Sequence, residues 1–438
     1  MGGVLSVQTA VPCTLVVAYL VVYRVILWIF NPLNVCTDRK GINDGSLPKK
    51  VSEIPWSNEL KFFLNGRTVR LINPDPGELL ATYIRDKAGL KGTKLGCEEG
   101  GCGACTVVLR KDDGTIAVNS CLRPLCTNDG MSITTVEGIG SVSSGLSAEQ
   151  ASIVSHNGTQ CGYCTPGWIS NSHARNMATE EGSMPEISGV EIDQYFDGNI
   201  CRCTGYKPIL KAIRESSAKS CSDASTCRTT GICSNTGGPS CHTPIEDIGS
   251  NHIQHALGVS GVGSGAGRRS TPRGSRGPGG GGAGGGSEDP QPLHFFNPST
   301  NTHWYRPVDL SQLCSVLQEY RSVAGAVQLV GGNTSIGVTK YFNDTAPYNS
   351  QDKYSVFVDM NSIPELCESV YDPVAKTLRA GATATLTELI TLLNAHANRP
   401  TDSDVGLVDH YSVFSVTAHH LRRIANTQVC IADDERLS

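Results

Sequence analysis

The amino-acid sequence predicts an α+β chain of several domains, and three observations lead there. Residues 59–136 alternate strand patterns with one helical stretch, residues 147–219 read as helical, and alternating strand and helix patterns return from Leu293 to the end. At 438 residues the chain has room for roughly two to four domains, each burying a core of its own.

The first region opens with KFFLNGRTVRLI, two apolar-rich runs about Asn65-Gly66. That dipeptide tolerates the positive φ angles of a tight hairpin turn. Between Glu78 and Ala88, Leu79, Leu80, Tyr83 and Ile84 fall at helical spacing. CTVVLR and TIAV are strand candidates joined by Asp112-Asp113-Gly114, and MSITTVEGI supplies the last strand of this unit. In the second region Cys161 and Cys164 precede a run holding Trp168 and Ile169, while Tyr206 to Ile213 follows Cys201 and Cys203. Each cysteine pair thus lies near a helix end, where free backbone N–H groups can donate to sulfur.

Residues 221–290 have few aliphatic side chains, many Ser and Thr, and a glycine tract over 277–286. Such a composition buries too little apolar surface to offset its ordering entropy and reads as a flexible linker. Cys221, Cys227, Cys233 and Cys241 within it read as unliganded thiols, with a zinc site as the alternative. Beyond it, AVQLVGGNTSIGV is an apolar run breaking at Gly331-Gly332-Asn333-Thr334. SVFVDM and LRAGATATLTELITLL read as further strands, the last turning into a helix.

A net charge of −5 and a pI near 6.1 exclude the clustered basic face of a nucleic-acid binder. Residues 15–30 are apolar apart from Arg24. The run is short for an untilted spanning helix and charged near its middle, and no basic residue precedes it as in a signal peptide. A cytoplasmic protein with an N-terminal extension over 1–57 is one reading, and a membrane anchor through 15–30 the other.

The densest chemistry lies in the cysteines, of which the chain has eighteen. Cys97, Cys102 and Cys105 in LGCEEGGCGAC, followed by Cys121 or Cys126 in NSCLRPLC, give C-x4-C-x2-C…C, the spacing of a plant-type 2Fe–2S ferredoxin. Gly100, Gly101 and Gly103 stand between the thiols, so the backbone can wrap a cluster closely. Cys161, Cys164, Cys201 and Cys203 form a second set, C-x2-C…C-x-C. Thiolates are soft ligands, and four of them favour zinc or an iron–sulfur cluster, a choice that spacing alone leaves open for this set. A secreted disulfide framework fits less well, because the cysteines sit beside paired glycines. Two one-electron centres in one chain would move electrons.

LVGGNTSIG is less specific. A strand ending in small residues can cradle a diphosphate with backbone N–H groups, although an ordinary turn has the same composition and the spaced glycines of a dinucleotide fingerprint are absent. His156, His419 and His420 read as helix-face or surface residues, and Trp28, Trp56 and Trp304 carry no site.

LGCEEGGCGACTVVL, NSCLRPLC, QCGYCTPG and GNICRCTGYKPIL resemble the cluster motifs of the molybdenum hydroxylases, the xanthine dehydrogenase and aldehyde oxidase family. The resemblance runs over residues 59–214 and resumes near His294. It implies a β-grasp 2Fe–2S ferredoxin domain holding Cys97, Cys102, Cys105 and Cys121, and a helical-bundle 2Fe–2S domain holding Cys161, Cys164, Cys201 and Cys203. Gln160 matches a position beside the molybdopterin. An α/β FAD-binding domain is implied next, with Leu329, Val330, Gly331, Gly332, Asn333, Thr334, Ser335 and Ile336 in one flavin stretch and Phe414 at a second position. Ser335 stands where the family commonly has an acidic residue. After Cys430 the family continues into a Ser/Ile-Gly-Gly-Asn segment, where this chain reads IADDERLS, so an incomplete flavin domain with substoichiometric FAD is expected.

The expected organisation is therefore an extension over 1–57, a ferredoxin-type domain over 58–140, a helical 2Fe–2S domain over 147–220, the linker over 221–290 and a flavin domain over 291–438. By resemblance, electrons from a molybdenum-binding domain or subunit, which would carry the molybdopterin and lies outside this sequence, pass through two 2Fe–2S clusters to FAD. NAD or oxygen would be the final acceptor, with a homodimer expected at full length. An aldehyde oxidase-like portion, a separate electron-carrier subunit and an inactive fragment are the alternatives. No catalytic proton-transfer residue is expected in this portion.

Overall fold

A computed structural model describes residues 50–111, 114–182, 192–193, 195–217, 290–323, 327–334, 336–337, 354–372, 374, 377–397 and 413–422. The apolar segment 15–30, the linker with its four cysteines, and Ser335 lie outside the described residues. Among the described residues no helix is long and apolar enough to cross a membrane.

The first sheet is built around a hairpin. Strands β1 (Glu59–Leu64) and β2 (Arg67–Ile72) pair antiparallel through Asn65 and Gly66, whose φ angles of 49° and 76° are those the sequence assigns to a tight turn. Strands β3 (Thr106–Lys111), β4 (Gly114–Asn119) and β5 (Ser132–Thr134) complete the order β2-β1-β5-β3-β4, with β5 parallel to β1 and antiparallel to β3. Leu60, Phe62, Val107 and Leu109 point into one core with Leu80 and Ile84 from helix α1 (Leu80–Thr82) and the π-turn Tyr83–Lys87 that continues it.

The expected last strand is shorter than its apolar pattern suggests. It stops at Thr134, because the Thr135 N–H donates to Asn65 Oδ1 (2.9 Å), and Val136–Ile139 turns helical. Asn65 therefore serves the hairpin and the end of the neighbouring strand together.

Three helices form the next unit, α2 (Ala148–Ser155), α3 (Thr165–Glu180) and α4 (Lys207–Ser217). Helix α2 starts with a reciprocal capping box, Ser147 accepting from the Gln150 N–H and Gln150 accepting from the Ser147 N–H. Pro166 lies in the first turn of α3, where a missing N–H costs nothing. Ile153, Trp168, Ile169, Phe196, Ile209 and Ile213 make its core, with Trp168 stacked on Phe196 at 5.7 Å between ring centroids.

The third unit has strands β6 (Leu293–Asn297), β7 (Thr302–Arg306), β8 (Val327–Val330) and β9 (Val356–Asp359) in the order β6-β7-β9-β8. Helix α5 (Leu310–Glu319) packs Leu313, Val316 and Leu317 against Val356 and Val358. Of LRAGATATL only Leu378 and Arg379 are strand, the end of Thr377–Arg379; Gly381 then sits so close to the Leu366 carbonyl that a Cβ would lie 2.3 Å from it, and the chain turns into α6 (Leu386–Ala397). Helix α7 (Val413–Leu421) packs on α6.

The first and third units share a core. Leu60 and Phe62 cluster with Phe295, Trp304, Val330 and Phe357, all buried. Arg306 also donates to Asp129 across the boundary, 2.9 Å apart and largely buried. Their relative placement is fixed by packing as well as by polar contacts.

Candidate metal centres

The sheet and α1 present the glycine-rich turn between them, and its thiols meet in pairs. Cys97 is hydrogen-bonded to Cys102, and Cys105 to Cys121. The turn needs glycine at particular points. Gly100 and Gly103 have φ angles of 80° and 66°, and a Cβ at Gly96 would lie 2.7 Å from Cys102 Sγ. Backbone donors face the sulfurs: Cys97 N–H to Cys102 Sγ at 3.4 Å, and Glu99 N–H to Cys97 Sγ at 3.3 Å.

Hydrogen bonding within a pair separates the two thiols. The bond with Cys102 draws the Cys97 pKa down to about 5 and pushes Cys102 up. The bond with Cys121 likewise lowers buried Cys105 while Cys121 rises. In each pair one sulfur is shifted toward the thiolate, the form that binds metal.

Cys126 is the other candidate for the fourth position in this set. It is fully buried in the sheet core, its thiol faces the Asp75 carbonyl at 3.7 Å, and burial pushes its pKa well up. Cys121, not Cys126, lies beside Cys105.

The second set is assembled from two helix ends. Cys164 caps α3, and Cys201 and Cys203 precede α4. Here too the thiols pair, Cys164 with Cys201 and Cys161 with Cys203. Burial, with the Cys201 bond adding to it, raises Cys164 to about 12. For Cys201 burial works upward, but the Thr204 hydroxyl (3.1 Å from Sγ) and N–H (3.5 Å) outweigh it and hold the thiol below its usual range. Cys161 and Cys203 are exposed, and so is Gln160 beside them.

Among the described residues no three His, Cys, Asp or Glu side chains converge as a single metal ion would require. The sulfurs come instead as two pairs in each set. Two thiolates for each of two metal atoms is the ligation of a 2Fe–2S cluster, so the donor chemistry and the backbone N–H groups fit that group.

The two sets touch through residues that composition did not single out. Ile200 donates its N–H to the Cys102 carbonyl at 3.0 Å, and Asn199 Nδ2 donates to the Gly103 carbonyl at 3.2 Å. Asn171 Nδ2 holds Asn199 through its Oδ1 at 2.7 Å. Gly167 in the first turn of α3 lies against Gly103. Tyr163 donates its hydroxyl to the Leu95 carbonyl just before the first turn. A glycine after Thr165-Pro166 was the only sign of this contact in the sequence.

Leu329 and Val330 end β8, and the chain then packs on the first centre's turn. Asn333 has a φ of 63°, is 2% exposed, and donates from Nδ2 to the Leu122 carbonyl at 2.7 Å. Asn361 Nδ2 donates to the Gly331 carbonyl at 3.0 Å. Thr334 Oγ1 is buried with no hydrogen-bond partner among the described residues. A buried hydroxyl without a partner and a loop in the left-handed region suit a cradle for a polar ligand such as a flavin dinucleotide. Gly332 and Ile336 are half-buried beside them. Phe414 is elsewhere, half-buried on α7 against the α6–α7 core and edge-on to Tyr371 at 6.1 Å.

His156 caps α2, sharing its Nδ1 with the Ser152 carbonyl (3.0 Å) and its Nε2 with Glu215 (2.6 Å). His419 and His420 are exposed on α7.

Three family models match the chain. One described as a 2Fe–2S iron–sulfur cluster binding domain covers residues 62–125, and a second 2Fe–2S binding domain covers 135–214. A third, an FAD binding domain in molybdopterin dehydrogenase, covers 298–430. A xanthine dehydrogenase of Drosophila pseudoobscura pseudoobscura is 34% identical over 345 residues, 77% of this chain and 23% of that protein. The xanthine dehydrogenase/oxidase of Felis catus is 48% identical over 164 residues, 36% of this chain and 12% of that protein. A Dictyostelium discoideum xanthine dehydrogenase is 44% identical over 182 residues, 40% of this chain and 13% of that protein. The chain spans less than a quarter of the length of these curated relatives.

Proposed function

The chain belongs to the molybdenum hydroxylase family, carrying its iron–sulfur and FAD-binding regions, and from that premise we propose that it is the electron-transfer portion of a xanthine dehydrogenase-like oxidoreductase. Each 2Fe–2S cluster supplies a one-electron carrier, and FAD supplies an acceptor that collects electrons singly and can release a pair. Cys97 with Cys102, and Cys105 with Cys121, would hold the two irons of one cluster. Cys161 with Cys203, and Cys164 with Cys201, would hold those of the other. In this reading residues 58–140 form a β-grasp domain, 147–220 a helical-bundle domain and 291–438 the flavin domain, with 221–290 as linker. The order β2-β1-β5-β3-β4 with β1 parallel to β5 supports the first of these.

One observation carries the reading: the Ile200 N–H to Cys102 carbonyl bond, at 3.0 Å, links a residue beside Cys201 directly to a ligand of the other centre. The chain's part is to hold both centres at this short, fixed separation and to donate hydrogen bonds to their sulfurs. Gln160, Cys161 and Cys203 lie exposed in the second set. They would face a molybdenum-binding domain or subunit holding the molybdopterin, where a purine or an aldehyde is hydroxylated. Leu329, Val330, Gly331, Gly332, Asn333, Thr334, Ser335, Ile336 and Phe414 would serve FAD, with NAD or oxygen as final acceptor in a cytoplasmic homodimer.

Paramagnetic resonance of the reduced chain tests the reading. Two distinct iron–sulfur signals, broadened by each other when both centres are reduced, support it. A diamagnetic protein carrying zinc would refute it.

A further inference from the structure

Glu99 lies between the flavin-side loop and the first centre. Its N–H donates to Cys97 Sγ at 3.3 Å. Its carbonyl side is covered by Gly337, where a Cβ would lie 2.3 Å from the Glu99 oxygen, 2.8 Å from its carbonyl carbon and 3.1 Å from its Cα. All three are backbone atoms, which cannot rotate away as the end of a side chain can. On the other side of the same turn, Asn333 Nδ2 donates to the carbonyl of Leu122, the residue after Cys121. The Gly337 N–H donates to the Thr334 carbonyl at 3.2 Å and closes the loop between these two contacts. Gly337 and Asn333 therefore hold the backbone beside Cys97 and beside Cys121, one thiol from each sulfur pair.

We propose that Gly337 and Asn333 are positioning residues for the first centre, holding the Glu99 N–H on Cys97 Sγ and so setting that centre's reduction potential. This rests on the assignment of Cys97 and Cys121 as cluster ligands and goes beyond it, since it gives a role to residues outside both cluster domains. Adding an electron makes the sulfurs more negative, so a backbone donor at sulfur favours the reduced state. A loop that presses Glu99 into place raises the potential, and one that releases it lowers the potential. No side chain fits at Gly337 without moving Glu99. Asn333 tolerates glycine, which keeps its positive φ and removes the side-chain amide with its bonds to the Leu122 carbonyl and from Gln328 Nε2.

The test is a redox titration of the full chain with both clusters reconstituted, followed by paramagnetic resonance, for the parent, Gly337→Ala and Asn333→Gly. The expected result is a lower midpoint for the first centre in both variants, with the second centre unmoved. The expected size is up to about a tenfold loss in the reduced-to-oxidised ratio at fixed potential, or about 59 mV for one electron. If Gly337→Ala does not fold, Asn333→Gly decides the matter. Unchanged first-centre potentials in the folded variants would overturn the proposal, as would equal shifts of both centres, which signify general loosening. A Cys97→Ala protein that keeps its first signal would instead sink the ligand assignment, so the two failures are distinguishable.

Discussion

Gly167 and Gly103 pack backbone to backbone across the boundary between the two cysteine sets, and a Cβ on Gly167 would lie 2.1 Å from the Gly103 carbonyl oxygen. One of these glycines lies in the first turn of α3, three residues after the Cys164 cap, and the other lies between Cys102 and Cys105. The contact sets how near the two centres stand, because any side chain at either position would separate the loops that carry the thiols.

Gly167→Ala should therefore destabilise the chain and pull the centres apart. Overpacking of this kind costs about 1–3 kcal/mol, which appears as a fall of several degrees in unfolding midpoint. The sharper readout is magnetic. The mutual broadening of the two reduced signals should weaken in the variant, and an unaltered line shape would show that the contact does not govern their separation.

The cysteine sets should respond separately. Cys121→Ala is expected to remove the first paramagnetic signal alone, and Cys201→Ala the second alone. Cys126→Ala should keep both and lose about 1 kcal/mol of stability, since Cys126 belongs to the sheet core and Cys105 and Cys121 to a separate cluster. Iron content and spectra of the three variants check this together.

Much of this site was legible in the sequence because its chemistry is local. Cys97, Cys102 and Cys105 are ligand-type residues at a fixed spacing, and Asn65-Gly66 is a turn whose backbone angles only a few residues accept. The strands around them follow from alternation. What was not legible depends on distant approach. Gly337 against Glu99, Asn333 against the Leu122 carbonyl and Ile200 against Cys102 join residues far apart in the chain, and no local pattern marks them. Spacing left Cys121 and Cys126 both open, the family resemblance chose Cys121, and the fold places Cys121 beside Cys105 and Cys126 in the core. The strand expected through 131–139 forms only over Ser132–Thr134 for a related reason, since Asn65 intercepts the Thr135 N–H.

Glu149 gives the helical unit a pH dependence. Burial opposes its charge, but His173, Ser147 and Asn176, with a backbone donor, outweigh that and hold its pKa at about 2, down from 4.5. Asn176 Nδ2 donates to Glu149 Oε1 at 2.7 Å, and the His173 ring lies at 3.4 Å. A carboxylate with a depressed folded pKa adds stability that is present above its unfolded value and lost as pH falls through the folded one. Glu149→Gln should thus be less stable than the parent at neutral pH, with the difference shrinking between about pH 4.5 and about 2. Helical circular dichroism on metal-free protein measures it, and a constant difference across that range would contradict the assignment.

Thr334→Val separates stability from flavin binding. Removing a buried hydroxyl that has no partner among the described residues relieves a desolvation cost, so the flavin-free variant should melt no lower than the parent. If that hydroxyl serves the dinucleotide, FAD affinity should fall about tenfold, corresponding to about 1.4 kcal/mol. Equal affinity for FAD in the two proteins would remove Thr334 from the cradle.

The central claim, that two cysteine sets hold two 2Fe–2S clusters in series, is tested most directly by analysing the anaerobically reconstituted full chain for iron and acid-labile sulfide and recording the resonance of the reduced protein. The account predicts about four irons and about four sulfides per chain, with two signals that broaden each other. Stoichiometric zinc without visible absorption, or a single signal with about two irons, would contradict it.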